Sequence, residues 1–312
     1  PAETLADPDG QFITVDGASL YVLDRGDPAD PAVLLLHGFG GSTFSWRYTF
    51  DPLIAAGYRV VAFDRPPYGL ADKSTDITYS SESYVNYTVG LMDALDIEQA
   101  VLVGHSAGGS VITAVALAHP ERVAGLVYVA GAVRVPGVEA FGPPQTGDGD
   151  SEGRGGNSVF SSLFDVAAQI DPASPLAQIL VSRLVTPDML AGIVYGNYYD
   201  ESRVTPEIIE GYTQILRVEG WEGAFLKLLT GPMGGGDAAL DLSPLQLLDV
   251  PVLIQWGEQD AVVPLYVGEA LHDYLDGSTF IVYPETGHLP MEESADAFNA
   301  DLVAWLGDNF GE

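Results

Sequence analysis

Residues Ala100-Val101-Leu102-Val103-Gly104-His105-Ser106-Ala107-Gly108 carry a short apolar run straight into a turn with a serine at its centre, and a helical pattern from Ala107 to Ala118 begins at once. A strand that passes sharply into a helix brings its two backbones together. Side chains at positions 104 and 108 then have no room, and the central residue is forced into a strained conformation. The serine is left alone at the helix N-terminus, where an alkoxide or oxyanion gains from free N–H groups and the helix dipole. Glycine-x-serine-x-glycine alone is a weak pattern. The strand before it and the helix after it make Ser106 a candidate nucleophile.

The alternation of buried strand and helix continues on both sides. Val33-Leu34-Leu35-Leu36, Val60-Val61-Ala62-Phe63, Val101-Leu102-Val103 and Leu126-Val127-Tyr128-Val129 are continuous apolar runs, the mark of strands covered on both faces. Helices are predicted at Phe44–Ala56, Ser81–Leu95 and Ala107–Ala118, bounded by Gly57, Asp96 and Pro120. Gln11–Val15 and Ser19–Leu23 read as an opening hairpin around Asp16-Gly17-Ala18. Regular succession of strand and helix implies right-handed crossovers and a mostly parallel sheet, so the fold class is α/β. The rhythm stops after Ala130. It resumes with Val252-Leu253-Ile254, a helix near Leu265–Leu275, a strand Thr279–Tyr283 and a final helix from about Met291 to Leu306. The chain is thus divided into a core of residues 1–133 and 246–312 and an inserted cap of residues 134–245. The Gly-rich stretches Gly147–Gly156 and Gly231–Gly236 neither follow a strand nor open a helix, so they read as hinges or surface loops and not as phosphate cradles.

Composition excludes several classes of function. In 312 residues, 44 acidic side chains face 12 basic ones, a net charge of -32, and Lys73 and Lys227 are the only lysines. Such a surface repels nucleic acid and anionic membranes. The acidity fits either solubility or an adaptation to high salt or an extracellular habitat. There is no cysteine, which rules out a thiol nucleophile, a disulfide framework and a Cys-based metal site. No apolar run reaches the roughly 20 residues of a membrane helix, so no membrane insertion is expected. The chain opens at Pro1 and not at a methionine, as a processed or trimmed N-terminus would. Localisation stays open between cytoplasmic and exported, and oligomeric state is undetermined.

Ser106 needs a base. Among five histidines, His105 lies inside the turn with its side chain expected to point away from the serine, His119 precedes Pro120 at a helix end, and His272 sits on a predicted helix. His37 precedes a glycine turn, where a histidine buttresses the loop. His288 closes Pro284-Glu285-Thr286-Gly287-His288 just past the last strand, at the carboxyl edge where open α/β sheets bind ligands. The orienting acid is expected on a loop after a late strand, and Gln255-Trp256-Gly257-Glu258-Gln259-Asp260 supplies it. Asp260 is preferred over Glu258, which would project from the turn itself. The oxyanion donors are taken as the backbone N–H groups of Phe39, in His37-Gly38-Phe39-Gly40-Gly41, and of Ala107.

The order Ser106, Asp260, His288 in these contexts resembles the α/β-hydrolase superfamily over about residues 10–312. The segments His37-Gly38-Phe39-Gly40-Gly41-Ser42, Phe63-Asp64-Arg65-Pro66-Pro67-Tyr68-Gly69 and Gly287-His288 are similar to motifs of its serine carboxylesterase-like and C–C hydrolase-like branches. The resemblance implies the α/β-hydrolase fold, an eight-stranded sheet with an antiparallel second strand and an inserted helical cap. It also implies that Ser106 is the nucleophile, Asp260 the acid and His288 the base. Asp64, Arg65 and Tyr68 are expected to brace their loop. The related dehalogenases and epoxide hydrolases use an aspartate nucleophile, so a serine at position 106 argues against both.

The expected chemistry is hydrolysis of a small-molecule carboxylic ester through an acyl-enzyme on Ser106, with no metal or organic cofactor. A C–C bond hydrolase and a cofactor-free perhydrolase use the same three residues and stand as alternatives, with a ligand-binding receptor as the non-enzymatic one. In the insertion, Tyr195, Tyr198, Tyr199, Tyr212, Trp221 and Phe225 are enough either to line an apolar pocket or simply to pack the cap onto the core. A covering cap would favour small or medium acyl groups.

Overall fold

In the computed structural model, which describes residues 1–138, 172, 174–230 and 242–311, one sheet organises the chain. Its strands are β1 (Gln11–Val15), β2 (Ala18–Arg25), β3 (Ala32–Leu36), β4 (Arg59–Asp64), β5 (Ala100–His105), β6 (Val123–Val129), β7 (Val252–Gly257) and β8 (Thr279–Tyr283), in the spatial order β1-β2-β4-β3-β5-β6-β7-β8. β2 runs antiparallel to β1 and to β4, and all other pairings are parallel. The helices among the described residues are α1 (Phe50–Ala55), α2 (Ser81–Ala94), α3 (Ala107–Ala118), α4 (Pro175–Leu184), α5 (Pro187–Asn197), α6 (Pro206–Thr213), α7 (Trp221–Thr230), α8 (Leu265–Tyr274), α9 (Pro290–Glu293) and α10 (Ala295–Phe310). Helices α4 to α7 fall between β6 and β7 and form the inserted cap. No single helix among the described residues is long and apolar enough to cross a membrane. Gly147–Gly156 and Gly231–Gly236 lie outside the described residues.

The continuous apolar runs have a direct cause. Side chains alternate across a strand, and here both faces are covered. Leu34, Leu36, Leu102, Leu126 and Ile254 point into one core, with Leu91 and Met92 of α2, Ile112 and Val115 of α3 and Leu271 of α8. Val33, Leu35, Val101, Val103, Val127 and Leu253 point into the other, with Phe50 and Leu53 of α1 and Phe298, Leu302 and Leu306 of α10.

Two predicted helices are broken. Phe44–Ala56 resolves into a 3-10 turn at Thr43–Trp46 and the short α1. Pro52 has no N–H to give the Tyr48 carbonyl, so a helix through both is disfavoured, whereas a proline in the first turn of α1 costs nothing. The Asn299 side chain donates to that Tyr48 carbonyl at 2.8 Å instead. The final helix divides at Ser294 into α9 and α10 and runs on to Phe310. The Ser294 hydroxyl lies 2.6 Å from the Thr286 hydroxyl, which ties the break to the loop after β8. The hairpin turn is also tighter than expected, since Ala18 already pairs with Val15.

β3 lies between β4 and β5, so the chain leaves β3 toward one side of the sheet for β4 and crosses to its other side for β5. At such a switch point the loops leaving two neighbouring strands diverge and open a crevice at the carboxyl edge. The loop beginning at His37 and the turn at Ser106 leave from these strands, and the loops after β7 and β8 emerge from the same edge.

Candidate active site

Ser106 stands between β5 and α3 with φ 49° and ψ -119°, a region that costs a side-chain-bearing residue on the order of 1–3 kcal/mol. The conformation is held by its own backbone. Ser106 N–H donates to the Val129 carbonyl at 3.0 Å, and the Ser106 carbonyl accepts from Gly109 and Ala132, both at 2.8 Å. A Cβ on residue 104 would lie 2.6 Å from the Gly108 carbonyl oxygen, which is why the turn requires glycine there.

Asp260 and His288 meet as an ion-pair-like contact at the edge of the sheet. His288 Nδ1 is 2.8 Å from Asp260 Oδ2, and both side chains are buried. The other carboxylate oxygen accepts from the backbone N–H groups of Val262 and Val263 at 2.8 and 2.9 Å. With one oxygen fixed by the turn, the second is aimed at the imidazole. Asp260 thereby sets the tautomer in which Nδ1 carries the proton and Nε2 keeps its lone pair. Glu258 is exposed, and its carboxylate accepts from the side chain of Gln259 at 2.7 Å.

The position of His105 departs from expectation. Its side chain does not turn out of the site but lies behind His288, where Nε2 donates to the His288 carbonyl at 2.9 Å and the rings pack at 4.7 Å. By strand alternation His105 shares the face of β5 with Val101 and Val103, and the loop after β8 brings His288 onto it. Burial, and next the neighbouring His288, hold the His105 imidazole well below the ordinary histidine range, so it is neutral. An unfolded chain takes up this proton below about pH 6.5 and the folded one does not, so the term is absent above that pH and withdraws stability as pH falls. Relative to His105→Gln, the unfolding free energy of the wild type is expected to drop as the pH is lowered from 7.5 to 5.5. Urea titrations at the two pH values measure it, and a pH-independent difference would mean that the folded state binds the proton.

His37 is a buttress. It is fully buried, its Nε2 accepts from Arg65 N–H at 3.1 Å, and its Nδ1 therefore carries the proton that it donates to the Gly38 carbonyl at 2.8 Å. Arg65 also donates to the His37 carbonyl through Nη2 and lies over the Tyr68 and Tyr84 rings. Asp64 accepts from the backbone of Thr43 and Leu70, both at 2.6 Å. These three residues brace the loops after β3 and β4. Desolvation pushes the Asp64 carboxyl up to about 6 and the nearby Lys73 down to about 8. His272 bonds Ser278 and stacks on Phe280, and His119 faces Glu121; neither approaches the site. The turn Gly38–Gly41 closes with Gly41 N–H on the Gly38 carbonyl at 3.3 Å, and Phe39 at its tip is 56% exposed. Among the described residues the Phe39 and Ala107 N–H groups have no acceptor.

Two functional neighbours escaped the sequence reading. Glu293 takes the Gly287 and Asp200 N–H groups, both at 2.7 Å, and that of Tyr199 at 3.1 Å, while His288 N–H donates to the Asn197 carbonyl at 2.7 Å. Glu292 accepts from Arg47 at 2.7 Å, from the Tyr198 hydroxyl at 2.6 Å and from the Tyr212 hydroxyl. The end of α5 is thus fastened to the backbone of His288 itself. A Cβ on residue 287 would lie 2.5 Å from the Asn197 carbonyl oxygen. Two adjacent acids within a few residues of a candidate base were the available signal.

A cavity over this edge is bounded by Phe39, Ser45 and Tyr68 of the core, by Met189, Ile193 and Val194 of α5, by Tyr212 of α6, and by Trp221 and Phe225 of α7, with His105 and His288 at its floor. The six cap aromatics divide: Tyr212, Trp221 and Phe225 line the cavity, Tyr198 is buried against Glu292, and Tyr195 and Tyr199 are exposed. No lysine or arginine lines the cavity among the described residues. No group of three metal-ligating side chains is gathered there or elsewhere among them.

A family model described as alpha/beta hydrolase fold matches residues 31–295. An uncharacterised hydrolase of Bacillus subtilis, YugF, is 27% identical over 295 residues, covering 94% of this chain and 96% of its own. A 2-hydroxy-6-oxononadienedioate/2-hydroxy-6-oxononatrienedioate hydrolase of Pseudomonas putida is 30% identical over 294 residues, with 92% and 91% covered. The solved meta-cleavage product hydrolase of Pseudomonas fluorescens IP01, complexed with acetates, superposes with a TM-score of 0.74 at 25% identity, over 96% of this chain and 98% of that one.

Proposed function

We propose, since the chain belongs to the α/β-hydrolase family, that it is a serine hydrolase acting on neutral carboxylic esters, with Ser106 as nucleophile, His288 as base and Asp260 as orienting acid. The observation that carries this reading is the packing of His288, already paired with Asp260, on His105, the residue beside the strained Ser106. In the proposed cycle His288 Nε2 takes the Ser106 proton as Oγ attacks the carbonyl carbon. The oxyanion is held by the Phe39 and Ala107 N–H groups, and the C–O bond then breaks, the alcohol leaving with the proton from His288. Water, deprotonated by His288, releases the acid and restores Ser106. Residues 1–133 and 246–312 serve as the core and 134–245 as the cap that covers the acyl group.

Hydrolysis of a C–C bond beside a carbonyl is the second reading, favoured by the names of the relatives in Pseudomonas. Against a dicarboxylate substrate stands a cavity wall that holds no cation among the described residues, since a buried carboxylate without a partner is costly. The test is a substrate panel after labelling with a fluorophosphonate. Modification is expected at Ser106 alone, and p-nitrophenyl esters of short and medium acyl chains are expected to outpace long ones and a 2-hydroxy-6-oxo-dienedioate. Faster turnover of the dienedioate than of any ester would sink the ester assignment.

A further inference from the structure

One wall of the cavity is polar in a one-sided way. Tyr212 of α6 reaches back to the core and donates its hydroxyl to Glu292 Oε1. Glu292 is fully buried in its side chain and is paired through Oε2 with Arg47 at 2.7 Å, while the Tyr198 hydroxyl donates to the same oxygen. An ionised carboxylate only accepts, so the Tyr212 proton is committed to it. Burial, and next the charge of Glu292, push the phenol well above its ordinary range, so the proton stays. The Ser45 hydroxyl lies 3.1 Å from the Tyr212 hydroxyl. With the Tyr212 proton already spent, Ser45 must be the donor of that bond. The chain therefore has one direction, from Ser45 to Tyr212 to Glu292, and on this wall of the cavity the hydroxyl oxygens of Ser45 and Tyr212 are left with lone pairs only.

A buried carboxylate with an arginine and two tyrosines is more than is needed to pack a cap. Apolar residues of the same volume would close that contact at equal or lower cost. Resting on the assignment of this cavity as the ester site, we propose that Ser45 and Tyr212 form an acceptor-only specificity subsite that selects substrates bearing a hydroxyl near the scissile carbonyl and rejects carboxylates. Ser45 belongs to the turn that follows the Phe39 loop, and its hydroxyl oxygen would lie 3.1 Å from a Cβ on residue 41. The subsite thus lies beside the Gly38–Gly41 turn that carries the proposed Phe39 donor. A substrate hydroxyl finds an acceptor there. An ether finds two lone-pair oxygens facing its own, and a carboxylate meets them with a full charge.

The experiment compares ethyl butyrate, ethyl 3-hydroxybutyrate, ethyl 3-methoxybutyrate and monoethyl succinate. The wild type is expected to favour the hydroxy over the methoxy ester by about tenfold in kcat/KM and to handle the succinate more poorly than the butyrate. In Tyr212→Phe the ring stays packed edge-on against Phe44, and Ser45 loses its acceptor and becomes free to donate into the cavity. The hydroxy preference is then expected to vanish and the penalty on the methoxy and succinate esters to shrink, a reversal that loss of a cap contact alone would not produce. Ser45→Ala is expected to lower the same ratio. Calorimetric binding of the esters to Ser106→Ala reads the subsite without turnover. If the wild type hydrolyses none of the esters while that variant still binds the hydroxy ester about tenfold tighter, the hydrolase assignment fails and the subsite stands. Equal handling of hydroxy and methoxy esters by the wild type, a ratio that survives in both Tyr212→Phe and Ser45→Ala, or succinate preferred to butyrate overturns the subsite.

Discussion

Ser106→Ala is expected to lower kcat/KM for p-nitrophenyl butyrate by about 10⁴-fold or more, equivalent to roughly 5.5 kcal/mol of transition-state stabilisation. The size follows from what the substitution removes. No other side chain stands at the strained centre of the turn, and the hydroxyl is the atom that would form the acyl-enzyme, so its loss removes a covalent pathway and not one contact among many. What the protein keeps is a cavity and two N–H donors, which account for residual catalysis well below the intact level. The fold is expected to survive, since the backbone bonds that hold residue 106 involve its N–H and carbonyl, to Val129, Gly109 and Ala132. Alanine bears the same strained φ that serine does. Steady-state kinetics beside a thermal melt measure both quantities, and an unchanged melt with more than a tenth of the activity retained would remove Ser106 from the mechanism.

Much of the sheet was legible because its chemistry is local. Strands covered on both faces must be apolar throughout, and Leu34 and Val33 feed different cores for that reason. The turn at Ser106 was legible because Gly104 is demanded by backbone approach within a few residues, to the Gly108 carbonyl. What the pattern did not carry depends on partners distant in the chain. Whether Phe44–Ala56 is one helix turns on Pro52 and on Asn299, which arrives from α10 to serve the Tyr48 carbonyl. His105 continues the alternation of Val101 and Val103, but what it meets there is His288, 183 residues further along the chain. Glu292 and Glu293 were lost among 44 acidic residues, because beyond their nearness to His288 nothing local separates a buried carboxylate from a solvated one. Asp260 and His288 stood out for their place after late strands, and their 2.8 Å contact is the geometry that the orienting role requires. The cap aromatics divided because an aromatic residue reads the same in the sequence whether it faces a cavity, a carboxylate or water.

Gly108→Ala is expected to cost about 3 kcal/mol of stability or more, an effect larger than that of most single methyl groups, and to take activity with it. The methyl group would overlap the carbonyl oxygen of Leu36, the last residue of β3, and would lie 2.9 Å from the carbonyl oxygen of His37. Neither obstacle is the loose end of a side chain. β3 is wholly buried and paired on both sides, with Leu36 opposite Phe63 and Gly104, so the strand cannot retreat without disturbing two ladders. The alternative is for α3 to back away, which would pull the N–H groups at its start from the Phe39 turn and reopen the angle at Ser106. Either response separates the proposed nucleophile from its oxyanion donors. Thermal melts are expected to fall by roughly 6–12 °C at this cost, with a loss of kcat at temperatures where the variant is still folded. A variant that melts with the wild type and keeps its kcat would show that the two loops do not depend on this approach. Because the new methyl group meets backbone and not a side chain, a compensating change in the side chains of β3 is not expected to rescue it, and Gly108→Ser should fail in the same way as alanine.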